Sequence, residues 1–293
     1  MKIGAIVPQL DLGADRGAIR EYGQSVDEIG FDHLLAFDHV VGADPAVHVG
    51  WAGPYDLRST FHEPFVLFGF LAGICPTLEF ATGIVILPQR QTVLVAKQAA
   101  EVDILSDGRF RLGVGIGWNA VEYESLGERF NNRGRRIEEQ IELLRRLWTE
   151  QSVTFDGTFH HVTGAGIAPM PIQQPIPLWM GGGAGPALER VGRLADGWFS
   201  NATPGPQLDG ALTTIRDAAR AAGRDPSGVG IEGRIMVGDG DQDRIAKEFE
   251  EWENLEASHV SFNTMGANLR DVGEHISALR SAFDTVRGAR KGG

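Results

Sequence analysis

Short runs of Ile, Val, Leu and Phe alternate along this chain with longer stretches of helical periodicity, and the alternation repeats eight times. An apolar run with no polar face must be covered on both sides, and a helix between successive runs supplies that cover. The pattern predicts βαβ units and a parallel sheet. The expected strands are 2–8, 33–40, 79–87, 109–116, 176–180, 197–201, 230–237 and 259–264. Expected helices cover 15–29, 63–74, 92–105, a broken stretch from 121 to 150, then 186–195, 207–222, 241–255 and 269–286. Gly30 stands where the first helix needs a stop. Eight such units in 293 residues suit an α/β fold closed as a (β/α)8 TIM barrel better than an open doubly wound sheet. No low-complexity linker divides the chain, so 1–293 reads as one domain. Its one departure is an insertion at about 151–174 after the fourth helical segment, where 153–155 and 158–160 flank Asp156-Gly157 and predict a hairpin.

Composition removes several classes of function. The formal charge is −12 and no long block of Lys or Arg occurs, which excludes a general affinity for nucleic acid or an anionic membrane. The most apolar window, 65–75, is too short to span a bilayer. The opening MKIGAIVPQL reads as a short strand and not as a signal peptide, so a cytoplasmic protein is expected. Cys75 is the only cysteine and reads as a small core residue in a reducing compartment. There is no GxSxG, HExxH or Walker loop. His160 and His161 would face opposite ways on a strand, and His39, His48 and His62 would meet only through tertiary folding, so no metal is expected.

In a barrel of this kind the chemistry sits at the C-terminal ends of the strands. Polar or small residues follow the apolar runs there: Asp38 and His39, then Gly115, Gly117 and Trp118, a glycine cluster at 181–185, Ser200 and Asn201, and Asn263 and Thr264. A histidine in that position can hold or move a proton near neutral pH. Asp38 and His39 are adjacent and should point to opposite faces, so a capping Asp beside a core His is the competing reading. "GIGWNA" at 115–120 has the GxGxxA spacing of a dinucleotide fingerprint, but Glu138 and Glu139 lie inside a helix and do not end a strand. Those glycines either let a flat ligand approach or relieve crowding inside the barrel. "MGGGAGP" runs from a strand through a glycine loop to a helix with Pro186 near its start. Free backbone N–H groups at a helix N-terminus make an anion site, and a tight turn needing positive φ is the alternative. Barrel phosphate sites more often follow strands seven and eight.

The run "ATGIVILPQRQTVLVAKQAAEVDILSDGRFRLGVGIGWNAVEYESLG" at 81–127, with "HLLAFDHV" and "PIPLWMGGGAGPALERVGRLADGWF", resembles the luciferase-like monooxygenase superfamily. Within it the chain is most similar to the F420-dependent oxidoreductases of actinobacteria. The resemblance extends in order over most of residues 1–265. It implies a (β/α)8 barrel, commonly a homodimer, with a flavin or deazaflavin across the strand ends. It also implies a non-prolyl cis peptide at Gly83-Ile84 against which the ring rests. His39 is then the catalytic residue beside the reactive centre and Asp38 supports the strand end. Gly115, Gly117 and Trp118 line the cofactor, while Gly181, Gly182, Gly183 and Gly185 receive its phosphate.

The implied reaction is hydride transfer between coenzyme F420 and a small organic substrate. An FMN-dependent monooxygenase using O2 and a non-catalytic flavin-binding barrel are the alternatives. Sugar-phosphate dehydrogenases of the superfamily carry a glutamate where Trp118 stands, which speaks against a sugar substrate; Glu122, one turn later, is a candidate for the missing acid. Arg90, Arg129, Arg133 and Arg190 are candidates for the acidic tail of F420. Substrate choice is expected from 41–62 and 151–174, through Trp51, Tyr55, Phe61, Phe155 and Phe159.

Overall fold

The computed structural model describes residues 1–291. The chain opens with β1 (Lys2–Ile6), a short α1 (Gln9–Leu12) and α2 (Arg16–Ile29). Asp15 caps α2 by accepting from Gly17 and Ala18, and Gly30 ends it in the left-handed region at φ 96°. Then come β2 (His33–Ala36), α3 (Pro64–Ala72), β3 (Glu79–Thr82), β4 (Val85–Ile86) and α4 (Thr92–Leu105). They are followed by β5 (Phe110–Gly115), α5 (Ala120–Ser125) and α6 (Arg133–Thr149). A separate antiparallel pair, β6 (Val153–Asp156) and β7 (His161–Ala165), precedes β8 (Leu178–Gly181), α7 (Gly185–Leu194), β9 (Gly197–Phe199) and α8 (Pro206–Ala221). The last elements are β10 (Gly230–Met236), α9 (Gln242–Asn254), β11 (His259–Asn263) and α10 (Val272–Lys291).

In the main sheet the order is β3-β2-β1-β11-β10-β9-β8-β5-β4, every pairing is parallel, and β3 also pairs β5. β3 and β4 are two pieces of one barrel strand, so the ring closes on eight strands as the alternation predicts. The Gly83–Ile84 bond between the two pieces is cis. Thr82 fills the gap in the ladder, its hydroxyl accepting from Gly113 N and donating to Gly113 O, both at 2.8 Å.

Three sequence expectations are corrected. Regular pairing of the second strand stops at Ala36, so Phe37 to Val40 leave the ladder as a rim segment. The third strand is broken at Gly83. The hairpin's second strand is 161–165 instead of 158–160, with Asp156 opposite His161. Asp156-Gly157 is no two-residue turn because Glu139 of α6 captures the connection: its carboxylate accepts from Thr158 N at 2.7 Å, Phe159 N at 2.8 Å and His160 Nδ1 at 2.7 Å. A local turn signal yields to a tertiary carboxylate.

Apolar faces of the strands pack outward against the helices in one large core that includes Trp148, Phe68 and Phe80. Inside, the register puts alternate residues of neighbouring strands on one level. The floor is ionic: Glu232 holds His33 Nε2 at 3.0 Å and Arg111 Nη1 at 3.0 Å and accepts from Ser261, while Arg111 also bonds Glu79. Burial opposes ionisation of Glu79, yet Arg111, His33 and Lys2 outweigh it and hold the carboxyl at about 2. Burial and the nearby Arg111 charge push His259 down to about 3. Above this floor lies a thin apolar layer of Ile6, Leu35, Ala81, Trp179 and Phe199. Among the described residues, no helix is long and apolar enough to cross a membrane.

Candidate active site

Beyond that apolar layer the barrel opens, at the C-terminal ends of its strands, into a cavity of about 370 Å³. Pockets of this size hold small ligands and cofactor rings. Asp38, His39, Gly83, Ile84, Gly115, Gly117, Trp118, Gly181 and Gly182 all border it. Gly183 and Gly185 do not; Gly183 lies on the loop that leads into α7 and Gly185 is the first residue of that helix.

Phe37 and His39 turn toward the cavity and Asp38 turns between them, as alternation along an extended segment requires. The buried Asp38 carboxylate accepts from Arg90 Nη2 at 2.8 Å and from Ile86 N at 3.3 Å. Burial raises its pKa from the ordinary value and Arg90 pulls against that rise. Asp38 thus ties the rim segment to β4. His39 faces a different carboxylate: its Nδ1 lies 3.5 Å from Glu122 Oε2. Tyr55, Phe61 and Trp118 enclose the imidazole, with ring centroids at 5.0, 4.8 and 5.7 Å.

Glu122 sits in the first turn of α5, which Asn119 caps by accepting from Val121 N and Glu122 N. It is buried and also accepts from Val40 N at 2.5 Å and Gln89 Nε2 at 3.1 Å. Burial pushes its carboxyl up, but the contacts from His39, Val40 and Gln89 outweigh that and hold it below the ordinary carboxylate range.

The glycine walls answer the alternatives left by the sequence. A Cβ on Gly115 would fall 2.4 Å from Ile84 Cδ1, and one on Gly181 would fall 3.2 Å from Ile84 Cγ2. These positions relieve crowding around Ile84, and the same absence leaves a flat cavity wall. Beyond them Gly182 adopts φ 126°, a turn conformation only glycine takes readily. Its carbonyl is held by Trp198 Nε1 at 2.8 Å. The N–H groups of Gly182, Gly183 and Ala184 donate to no protein acceptor among the described residues. With the N-terminus of α7 behind them they form a donor-rich cradle.

Several expected contributors are placed elsewhere. The 151–174 insertion does not border the cavity: Phe155 is buried in the core, and Phe159 lies in the turn held by Glu139. Arg90 is committed to Asp38 and Glu63, and Arg190 to Glu138. Arg133 stacks on Phe130 and donates to its carbonyl, whereas Arg129 is exposed. His62 bonds Gly13 O, and His160 and His161 take separate carboxylates. Among the described residues no group of three or more His, Cys, Asp or Glu side chains is placed to hold a metal. The sequence singled out neither the apolar lining of Phe37, Ile86, Ile116, Ala187 and Phe199 nor the one charged addition, Arg234 of β10. The only signal for Arg234 is an arginine within an apolar strand, spaced by two from Glu232.

Comparison with known proteins bears on this site. The chain is 37% identical over 164 residues to an uncharacterized protein of Mycobacterium tuberculosis, a match covering 56% of each. The matched part is thus little more than half of that relative's length. It is 30% identical over 208 residues to the F420-dependent glucose-6-phosphate dehydrogenase of Amycolatopsis mediterranei, covering 69% of this chain and 59% of that one. Among solved structures, monooxygenase RslO1 from Streptomyces bottropensis superposes with a TM-score of 0.78 at 20% identity, over 99% of this chain and 100% of the other. The coenzyme F420-dependent tetrahydromethanopterin reductase of Methanopyrus kandleri gives 0.77 at 16% identity, over 98% and 99%. Residues 5–282 match the model of the luciferase-like monooxygenase family, and the chain is a member of that family of oxidoreductases.

Proposed function

We propose that the cavity binds coenzyme F420 and that the protein transfers a hydride between this deazaflavin and a small organic substrate. The observation that carries the reading is one continuous surface: a wall poor in side chains at Gly83–Ile84, Gly115 and Gly181 that leads into unpaired backbone donors at Gly182–Ala184. A planar ring with a phosphate-bearing tail fits both parts at once. The relative named for F420-dependent dehydrogenation supports a deazaflavin. When bound, the deazaflavin supplies a ring carbon that carries the hydride.

The chain's own residues do the rest. His39 presents Nδ1 to Glu122, and Nε2 is the atom left to hold or deliver a proton in the cavity. The Glu122 carboxylate holds the imidazole in place by its Nδ1 edge. Tyr55, Phe61 and Trp118 cover the imidazole and limit water around it. Trp118 stands where the resemblance implies a carboxylate in sugar-phosphate dehydrogenases, and it is 39% exposed at the rim, so a sugar phosphate is not our choice of substrate.

Equilibrium titration with oxidised F420 and separately with FMN tests the proposal. F420 should bind and FMN should not; His39→Ala should keep that binding and lose about 10²- to 10⁴-fold in turnover. Preference for FMN would move the protein to oxygen-using chemistry. Binding of neither would sink the reading.

A further inference from the structure

Arg234 points into the same cavity, two positions beyond Glu232 along the inward face of β10. The neighbouring carboxylates are committed to other partners. Glu232 holds His33 and Arg111, Asp38 holds Arg90, and Glu122 faces His39. Arg234 takes part in no ion pair among the described residues. Its guanidinium lies over the Phe37 ring at 5.2 Å and donates from Nη2 to Asn201 Oδ1 at 3.3 Å. Burial pushes its pKa down from the ordinary value. Arg234 is half-buried at the cavity wall, and a partly desolvated cation that faces a cavity without a counterion is matched by an anionic group on a ligand.

The rest of the lining narrows the kind of anion. Phe37, Phe199, Tyr55 and Trp118 are aromatic, and Tyr55 lies 5.0 Å from His39 by ring centroids and is close enough to Arg234 to interact with its charge. A planar guanidinium matches the two oxygens of a carboxylate. Among the described residues Arg234 is the one Lys or Arg in the cavity lining, so a dianionic phosphate would stay half neutralised whereas a monoanion would be matched. We propose that Arg234 anchors the substrate, and that the substrate is a small monocarboxylate with an apolar or aromatic body. This assignment rests on the oxidoreductase reading of the cavity given above.

Isothermal titration with benzoate and its neutral isostere benzamide tests it, on the protein alone and after saturation with oxidised F420. Wild type should bind benzoate about tenfold tighter than benzamide or better, as a charge-assisted contact implies. Arg234→Gln should erase that preference with F420 affinity unchanged within about twofold, and Arg234→Lys should retain part of it. Absence of benzoate binding, equal affinity for acid and amide, or a preference that survives Arg234→Gln would overturn the proposal. So would a tenfold loss of F420 affinity in Arg234→Gln, since Arg234 would then serve the cofactor. Should wild type fail to bind F420, the function proposed above falls, and the acid and amide titrations on the protein alone still decide Arg234. If Arg234→Gln does not fold, wild type and Arg234→Lys carry the comparison.

Discussion

The carboxylate that faces the His39 imidazole comes from Glu122 and not from the adjacent Asp38, which is taken by Arg90. The two strand-end residues diverge because neighbouring side chains of an extended segment face opposite ways. Replacing Glu122 with Gln preserves shape and removes the charge. We expect about a tenfold fall in kcat with F420 affinity unchanged. A loss of thermal stability with kcat unchanged would reduce Glu122 to a brace for the Val40 amide. The sequence already suggested Glu122 as a substitute acid, one helical turn beyond Trp118. Its contact with His39 was not legible, since 83 positions separate the two and only the docking of α5 on the rim joins them.

At the scale of elements, the passage from β8 through glycines into α7 contains the tight turn that was one of the two readings of the sequence, and the anion site is the role proposed for it. Gly182 needs its positive φ, and Gly183 needs none; a Cβ there meets nothing within 4 Å. Gly183→Asp should therefore fold normally, with an unchanged unfolding temperature. It should weaken F420 binding by about tenfold or more, because a carboxylate would compete with the phosphate for the α7 N-terminus. Unchanged affinity would remove the loop from the cofactor site. The hairpin shows the opposite lesson. Asp156-Gly157 is a valid local turn signal, and three donors captured by Glu139 override it.

The whole barrel stands on a charged floor, where β-barrel interiors of this class are usually filled by branched apolar residues. Glu232 is central to it, and Glu232→Gln would leave His33 and Arg111 short of a counterion. We expect a loss of about 3–5 kcal/mol in urea unfolding at neutral pH; a loss under about 1 kcal/mol would mean that the floor is filler. The pH dependence has a definite sign. His259 is held neutral in the fold, with its pKa down at about 3, so an unfolded chain binds the extra proton and stability falls as pH drops below about 6.5. His160 and His275 are shifted the same way by burial. Glu79, depressed to about 2, contributes above the unfolded carboxylate pKa and loses that contribution as pH falls through its folded value. Two stages of acid destabilisation should appear in unfolding curves collected between neutral pH and about pH 3.

Periodicity alone determined the element order and the eightfold count, because each strand and helix records its own burial in its local pattern. The same pattern placed His39, Trp118 and the glycines at the C-terminal end of the barrel strands, since every parallel strand finishes on that side. What only the tertiary structure decided were pairings between distant elements: Glu122 with His39, Arg234 open toward the cavity, and Arg111 between Glu79 and Glu232. A charge in an apolar strand looks the same in sequence whether it is neutralised or free. The register of eight strands brings its partner within reach or withholds it, and the balance of burial against pairing then settles what that charge can do.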